Sequence, residues 1–373
     1  MFGDIYRGKK VLITGNTGFK GSWLTCWLLS CGAEVYGYSI GVPSEPSMYK
    51  SLGLEGRIRQ CWGDIRDAAA FDSFFRSVQP DFVFHLAAQA IVSVSYSEPL
   101  ETVTTNVVGT AVVLDALRCA DRSVTAVIIT SDKAYDNVEW IWGYRENDRM
   151  GGKDVYSGSK GAAELVYKSY WHSFLRHSQS LRIGVARAGN VIGGGDWSRD
   201  RIVVDTINAF SRGEQVEIRS PRATRPWQHV LEPLSGYLTL GWLLEKEREN
   251  KGGEPLNGQT INGEAFNFGP KQEQLKTVYD LVVDLSKGWG IDNPVRVSGN
   301  TPFDEAKLLK LNCDKALAYL GWHSTLHYSQ TVDFINQWYK AWYKQSEDMY
   351  SLTLRQIASY IDEAHKQELP WTE

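Results

Sequence analysis

Tyr156 and Lys160 stand four residues apart in Val155-Tyr156-Ser-Gly-Ser-Lys160, a spacing that sets a phenol and an ammonium on one face of a helix. A cation beside a phenol favours the phenolate. A positively charged cofactor ring would add to that pull, lowering the phenol from ~10 toward neutrality so that it can take a proton from a substrate hydroxyl. A second group lies in Thr130-Ser131-Asp132-Lys133-Ala-Tyr135, where a hydroxyl, a carboxyl and an amine arrive together as candidates for proton transfer. The third is Gly15-Asn16-Thr-Gly18-Phe19-Lys20-Gly21, whose glycines permit a tight turn and bring backbone N–H groups up to a pyrophosphate at the positive end of the next helix. Tyr6 and Lys10 share the Tyr–Lys spacing but precede the first strand, away from where such a cofactor would present its reactive ring.

These groups need a scaffold, and the first half of the chain supplies one. Strands read at Lys10–Thr14, Glu34–Tyr38, Ile58–Cys61, Asp81–Leu86, Thr125–Thr130 and Leu181–Ala186, with helices between them near Lys20–Cys31, Ala69–Ser77, Glu98–Cys119 and Asp154–Arg176. Runs such as VLIT and AVIIT are apolar throughout, as strands buried on both faces are. The pattern is α/β, a doubly wound parallel sheet (Rossmann-type) in which ligands bind beyond the carboxyl ends of the strands. The glycine turn and Ser131–Lys133 both follow strands, so both face that crevice. After Arg187 the rhythm changes to loops and helices near Ile202–Ser211, Glu232–Glu249, Leu275–Lys287, Ser329–Lys344 and Leu352–His365. The domains expected are therefore 1–187 for the dinucleotide, 188–345 as a smaller, mainly helical substrate lobe, and a helical tail at 346–373, with strands or helices of the second part free to return to the first.

Composition narrows the function. The 373 residues are 43% hydrophobic and 23% charged, with 40 basic against 44 acidic side chains and a net charge of −4. Bulk electrostatic binding to nucleic acid or an anionic membrane is thereby disfavoured. The N-terminal residues carry no signal-peptide pattern and no apolar stretch approaches ~18 residues, so a cytosolic, non-membrane protein is expected. Five scattered cysteines and seven histidines show no metal-ligand spacing, so no metal is expected and the thiols read as reduced and mostly buried. Fourteen tryptophans imply either a large aromatic core or flat surfaces for a ring-bearing ligand, and Trp197 and Trp227 stay open to both readings. The carboxylate expected for an adenosine ribose is missing at the end of the second strand, Tyr38-Ser39-Ile40-Gly41, and nothing basic there would take a 2′-phosphate, which favours NAD over NADP. Asp64 reads either as an adenine contact or as a helix N-cap.

Together, TGNTGFKG, His85-Leu86-Ala87-Ala88-Gln89, Asn106-x-x-Gly-Thr, TSDKAYDN and Tyr156-x-x-x-Lys160 resemble the extended short-chain dehydrogenases that act on nucleotide sugars, over about residues 8–345. Within that family, DKAYDN, RAGNVIGGGDW, RPWQHV and LGW are most similar to the CDP-glucose 4,6-dehydratases. The resemblance implies NAD held by Gly15, Asn16, Gly18, Phe19, Lys20, Gly21, Asp64, Ile65, Leu86, Ala87, Ala88, Thr105, Tyr156 and Lys160. It implies that Tyr156, supported by Lys160 and Ser131, deprotonates the sugar 4-hydroxyl, and that Asp132 protonates the departing 6-hydroxyl. Most relatives carry Asp-Glu where this chain has Asp132-Lys133, so Lys133 is the candidate base at carbon 5. Asn190, Arg201 and Arg225, with Arg222 as a weaker addition, match positions that hold the substrate diphosphate. The resemblance further implies CDP-glucose as substrate, deoxysugar synthesis for O-antigen and other surface polysaccharides, and a homo-oligomer (dimer or tetramer) paired through helices Glu98–Cys119 and Asp154–Arg176. A nucleotide-sugar 4-epimerase shares the cradle and the Tyr–Lys pair, and a non-catalytic cofactor-binding regulator is the alternative from another class. Asp132 beside a second ionisable group favours dehydration.

Overall fold

A computed structural model of the chain describes residues 1–249, 258–271, 275–298 and 308–373, so half of the expected loop at 251–264 lies outside the described residues. Seven strands, β1 Lys10–Thr14, β2 Glu34–Ser39, β3 Arg59–Trp62, β4 Phe82–His85, β5 Val124–Ile129, β6 Leu181–Ala188 and β7 Ala265–Phe268, form one parallel sheet in the order β7-β6-β5-β4-β1-β2-β3. The order reverses between β1 and β4, and the carboxyl ends of those two strands therefore open a crevice. Along β1, Val11 and Ile13 face one apolar layer and Leu12 the other, and all three are fully buried. Each such side chain contributes roughly 1.5–3 kcal/mol by burial.

Helices α2 Ala68–Val78, α3 Pro99–Arg118 and α4 Val155–Ser173 cover one face through Phe71, Leu114 and Tyr167. The other face is covered by α1 Phe19–Ser30, by α6 Leu231–Glu249 lying over β5 and β6, and by α9 Met349–Lys366 packed on α1. Between α4 and α6 comes α5 Ile202–Ser211, and α7 Val278–Trp289 and α8 Tyr328–Lys344 complete the lobe beyond the sheet. The 346–373 segment is built into this core. Trp371 is fully buried, stacks on Phe2 at 5.2 Å between ring centroids, and meets Trp27 and Tyr360 edge-on and stacked.

Three expectations change. Strand β7 was unexpected: AFNF is four residues long, interrupted by a polar Asn, and becomes a strand only by pairing with Val185–Ala188 of β6. Helix α3 does reach the length and mean hydropathy (1.2) of a membrane span, because its Thr residues count little against it, yet 44% of it is buried against the rest of the chain. It is also interrupted by a wide turn at Thr104–Val108, which rolls Asn106 inward. Of the five free cysteines, Cys26 alone is fully buried, the other four being half-buried; among the described residues no His, Cys, Asp or Glu cluster has a metal-binding arrangement.

Candidate active site

The crevice is a cleft of about 570 Å³ running from the end of β2 across β1 and β4 to the ends of β5 and β6. Its floor is the glycine turn. Gly15 has φ +73°, and a Cβ there would meet the Ala87 backbone N at 2.7 Å, so the turn closes against the Leu86–Ala88 loop only without a side chain. Gly18 caps α1 without a side-chain acceptor, leaving the first-turn N–H groups of α1 pointing at the cleft. Gly18, Phe19, Lys20 and Gly21 line it from β1, Ile65 and Thr105 from one side, and Leu86, Ala87 and Ala88 from β4. Asn16 does not. Its amide donates to Gln60 Oε1 (2.7 Å) and accepts from Ser39 Oγ (2.8 Å), fastening β1 to β2 and β3 behind the cleft.

At the other end the Tyr–Lys pair is set by a cap. Asp154 accepts from the Ser157 N–H (2.9 Å) and starts α4 just ahead of Tyr156. Tyr156 and Lys160 are both 7% exposed, and the phenol hydrogen-bonds Ser131. Ser131, the cap of the short turn Asp132–Ala134, accepts from the Lys133 N–H (3.2 Å) and donates to Asp132 Oδ1 (3.1 Å). The Asp132 carboxylate lies on the backbone of Gly189, where a Cβ would come within 1.8 Å of Oδ2, so glycine at the end of β6 makes room for the acid. Asn106, brought inward by its wide turn, donates to Gln89 O (3.1 Å) and Ser159 Oγ (2.8 Å), and Ser159 donates to Tyr156 O (2.7 Å). Behind Lys160, one turn further along α4, Glu164 forms a fork with Arg187 at 2.6 Å on both arms, and Thr130 donates to it at 2.6 Å. Arg187 donates to Tyr135 Oη (2.6 Å), which donates to Asn267 on β7 (2.8 Å).

The electrostatics correct one expectation. Burial raises the Tyr156 phenol above its ordinary value; Arg201 and the Ser131 hydrogen bond pull it down without overcoming burial. Lys160 is itself desolvated and lowered to about 8, with Glu164 pulling it up. Burial likewise lowers Lys20 to about 8, in a field to which Asp132, Arg201, Lys160 and Asp196 contribute. His85 is structural: held between Thr14 (2.7 Å) and Thr110 (3.2 Å), it is lowered by burial to about 3.

Among the substrate candidates, Asn190 and Arg201 line the cleft and Lys133 borders it next to Asp132. Arg201 donates to Ala90 O (3.2 Å), joining the two lips. Arg225 and Arg222 are not among its walls. Residues 224–225 pair with 276–277, Arg225 donates to Thr224 O (3.0 Å), and Arg222 is exposed. Asp64 is no N-cap, since Asp67 caps α2; it holds Arg66 through contacts of 2.5–3.0 Å, and the pair borders the adenosine end of the cleft. Trp227 donates to Lys276 O (3.2 Å) and Trp197 packs on Trp338, Tyr339 and Trp342, so both brace loops. Gly189, Glu164, Arg66 and Asp196 were not singled out from the sequence. Gly189 and Asp196 lie within the quoted RAGNVIGGGDW motif without a role of their own, and Glu164 continues the Tyr156–Lys160 stripe by another four residues.

The model of the family described as GDP-mannose 4,6 dehydratase matches residues 12–334. The chain belongs to that family. It is 43% identical over 362 residues to the CDP-glucose 4,6-dehydratase of Salmonella typhimurium, covering 96% of this chain and 98% of that one. Among solved structures, the UDP-glucose 4-epimerase of Thermotoga maritima with UDP-glucose superposes with a TM-score of 0.74 at 22% identity, covering 91% of this chain and all of that one. The dTDP-glucose 4,6-dehydratase of Bacillus anthracis in complex with NAD gives 0.72 at 18%, with the same two coverages. The fold is that of extended short-chain dehydrogenases, dehydratases and epimerases alike. At the end of β5 this chain carries an acid, Asp132, beside Tyr156, Lys160 and Ser131.

Proposed function

We propose that the protein is an NAD-dependent CDP-glucose 4,6-dehydratase, a hydro-lyase converting CDP-D-glucose to CDP-4-keto-6-deoxy-D-glucose and water. The observation that carries this reading is the carboxyl of Asp132 seated on Gly189 beside Tyr156, Lys160 and Ser131. The likeness to the Salmonella enzyme supports the nucleotide.

The glycine turn fits a dinucleotide, because its closest approach leaves backbone where a side chain would stand. Gly15, Gly18, Phe19 and Gly21 would hold the pyrophosphate. Asp64, Ile65 and Arg66 would border adenosine, Leu86–Ala88 and Thr105 the middle, and Tyr156 and Lys160 the nicotinamide ribose. NAD, when bound, supplies a hydride acceptor for carbon 4, a hydride donor for carbon 6, and the positive charge that the raised Tyr156 phenol needs. Tyr156 takes the proton of the 4-hydroxyl, with Lys160 and Ser131 stabilising the phenolate. The resulting ketone acidifies carbon 5. Lys133 removes the carbon 5 proton, the carbon 6–oxygen bond breaks, and Asp132 protonates the leaving hydroxyl so that water departs. A proton returned to carbon 5 completes the balance: the sugar has lost one water. Each positioned acid or base contributes roughly 10²–10⁴-fold. Asn190 and Arg201 bind the diphosphate from the cleft wall, with Arg225 and Arg222 as a second rank of charge beyond it.

A nucleotide sugar and NAD are both cytoplasmic metabolites, and we place the reaction there, feeding deoxysugars into surface polysaccharide. The exposed apolar side chains Leu100, Val108 and Leu165 on α3 and α4 support pairing of those helices with a second copy.

The deciding test incubates the protein and NAD with CDP-, dTDP-, UDP- and GDP-glucose deuterated at carbon 4. The expected result is a 4-keto product from the CDP sugar with the label on carbon 6. Inversion at carbon 4 without transfer to carbon 6 would mean an epimerase, and no product from any sugar would mean a binding protein. Lys133→Ala should abolish carbon 5 proton exchange; a normal exchange rate would remove Lys133 from that role.

A further inference from the structure

A glucose joined to a nucleoside diphosphate keeps four free hydroxyls, and the reaction proposed above uses two of them, at Tyr156 and Asp132. The hydroxyls of carbons 2 and 3 need a receptor at the same end of the cleft. Two charged groups stand there that no step of the reaction uses. Lys20 projects from the first turn of α1, and Asp196 ends the loop 193–196; both line the cleft. Each lies in the other's field, and Lys20 lies also in those of Asp132 and Lys160, which places the pair at the catalytic end rather than the adenosine end.

Both groups have hydrogen-bonding capacity left over. Asp196 is 8% exposed, and Oδ1 accepts from the Ser198 N–H at 2.9 Å. Among the described residues the other oxygen has no partner, and the Lys20 ammonium makes no hydrogen bond or close ion pair. That oxygen is open to the cleft, and as a carboxylate acceptor without a protein donor it is free to take a hydrogen bond from a ligand hydroxyl. The loop that carries Asp196 is also held as a specific receptor requires. Trp23 Nε1 donates to Gly194 O (2.9 Å), Tyr339 Oη donates to Asp196 O (2.5 Å), and the ring of Trp197 is wedged among Trp338, Tyr339 and Trp342. Four of the 14 tryptophans brace the loop that carries this carboxylate. A carboxylate and an ammonium that line the same end of the cleft without pairing with each other suit a vicinal diol, because the carboxylate accepts from one hydroxyl while the ammonium donates to the oxygen of its neighbour.

We propose that Asp196 and Lys20 receive the 2- and 3-hydroxyls of the hexose and so set the sugar in register with Tyr156 and Asp132. The proposal rests on the dehydratase reading. The test compares kcat/KM for CDP-glucose, CDP-2-deoxyglucose and CDP-3-deoxyglucose in the wild-type protein and in Asp196→Asn and Lys20→Met, all saturated with NAD. Wild-type protein should prefer CDP-glucose over at least one deoxy analogue by about 10- to 100-fold, the range of a hydrogen bond to a charged group. Either variant should lose most of that preference by falling on CDP-glucose, while its rate on the affected analogue stays within about threefold, because the removed interaction is absent from that complex. Label from carbon 4 should still reach carbon 6 in both variants. An equal loss on all three sugars would overturn the proposal, as would a Lys20→Met protein that binds NAD more weakly in a fluorescence titration yet keeps its hydroxyl preference. Should Asp196→Asn not fold, Lys20→Met decides alone. Wild-type protein that makes no 4-keto product from CDP-glucose would instead sink the dehydratase reading, an outcome distinct from either loss in the variants.

Discussion

The two ends of the cleft are built to different standards. At the catalytic end Tyr156, Asp132 and Lys160 are buried and braced: Tyr156 by Ser131, Asp132 by Ser131 and the bare backbone of Gly189, Lys160 by the field of Glu164, with Lys133 half-buried beside them. Behind them Thr130, Glu164, Arg187, Tyr135 and Asn267 tie β5, α4, β6 and β7 into one polar chain. At the adenosine end Ile40 is 71% exposed and Trp62 48%, and the one charged pair, Asp64–Arg66, is about one-third exposed. Arg66 has its guanidinium occupied by Asp64, which leaves little for a 2′-phosphate. Proton transfer needs groups held to a fraction of an ångström, whereas holding an adenosine needs only enough contact to keep it there. The difference is one of function distributed along a single groove.

Damage at the catalytic end should therefore be severe and specific. Tyr156→Phe removes only the phenol oxygen, and kcat should fall roughly 10²–10⁴-fold while the thermal midpoint stays near that of the wild type. Glu164→Ala leaves the fully buried Arg187 guanidinium without its carboxylate and should cost about 3–5 kcal/mol in denaturant unfolding. A loss below about 1 kcal/mol would show that the polar chain does not brace this end. Gly189→Ala should lower kcat by roughly 10²-fold through a displaced Asp132, with KM changed far less, since the added methyl meets the acid and not the substrate diphosphate.

Glu164→Gln makes a finer probe, because it keeps shape and removes charge. Lys160 is charged below about 8 and loses its proton as pH rises through that value, so the cation supporting the phenolate is lost on the alkaline side. Glu164 raises that pKa, and without its charge Lys160 should neutralise at lower pH. The alkaline limb of kcat/KM should then move to lower pH in the variant. A limb that stays in place would make Glu164 purely a packing residue. The same group acts on stability with the opposite sign to a salt-bridged lysine. The unfolded chain binds more protons between about 8 and the ordinary 10.5, so the cost of burying Lys160 is full below 8 and fades as pH climbs.

What could be read in the sequence follows the same division between local and distant causes. The strand runs and the Tyr156–Lys160 stripe depend on neighbours a few residues away, and they stand where their periodicity puts them. β7 was hidden because AFNF is a strand only beside β6, and Gly189 because its reason is a carboxylate from another strand. Arg225 matches a motif, yet its ribbon pairs with residues 276–277 and turns it from the cleft wall, a matter of loop geometry that no spacing encodes. The direction of the Tyr156 shift was also beyond spacing, because a neighbouring cation is visible in a sequence and the depth of burial is not.

The smallest expected effect lies at the adenosine end and tests the comparison most directly. With no carboxylate for the ribose, the purified protein should lose NAD on dialysis and recover activity when NAD is added back. Protein that stays fully loaded would contradict the looseness argued for this end. Ser39 is the place to tighten it, being the last residue of β2 and 6% exposed at the cleft. Its hydroxyl now donates to Asn16 Oδ1, so a new carboxylate would first meet an acceptor. Turning the Asn16 amide over would offer it a donor, at the expense of the bond from Asn16 Nδ2 to Gln60. Ser39→Asp should accordingly gain less than an ideal ribose contact, about tenfold in NAD affinity, or ~1.4 kcal/mol, with kcat at saturating NAD unchanged. Adding Gln60→Glu should erase the gain: its carboxylate accepts from Asn16 Nδ2, holds the amide in its present orientation, and leaves the new acid facing Oδ1.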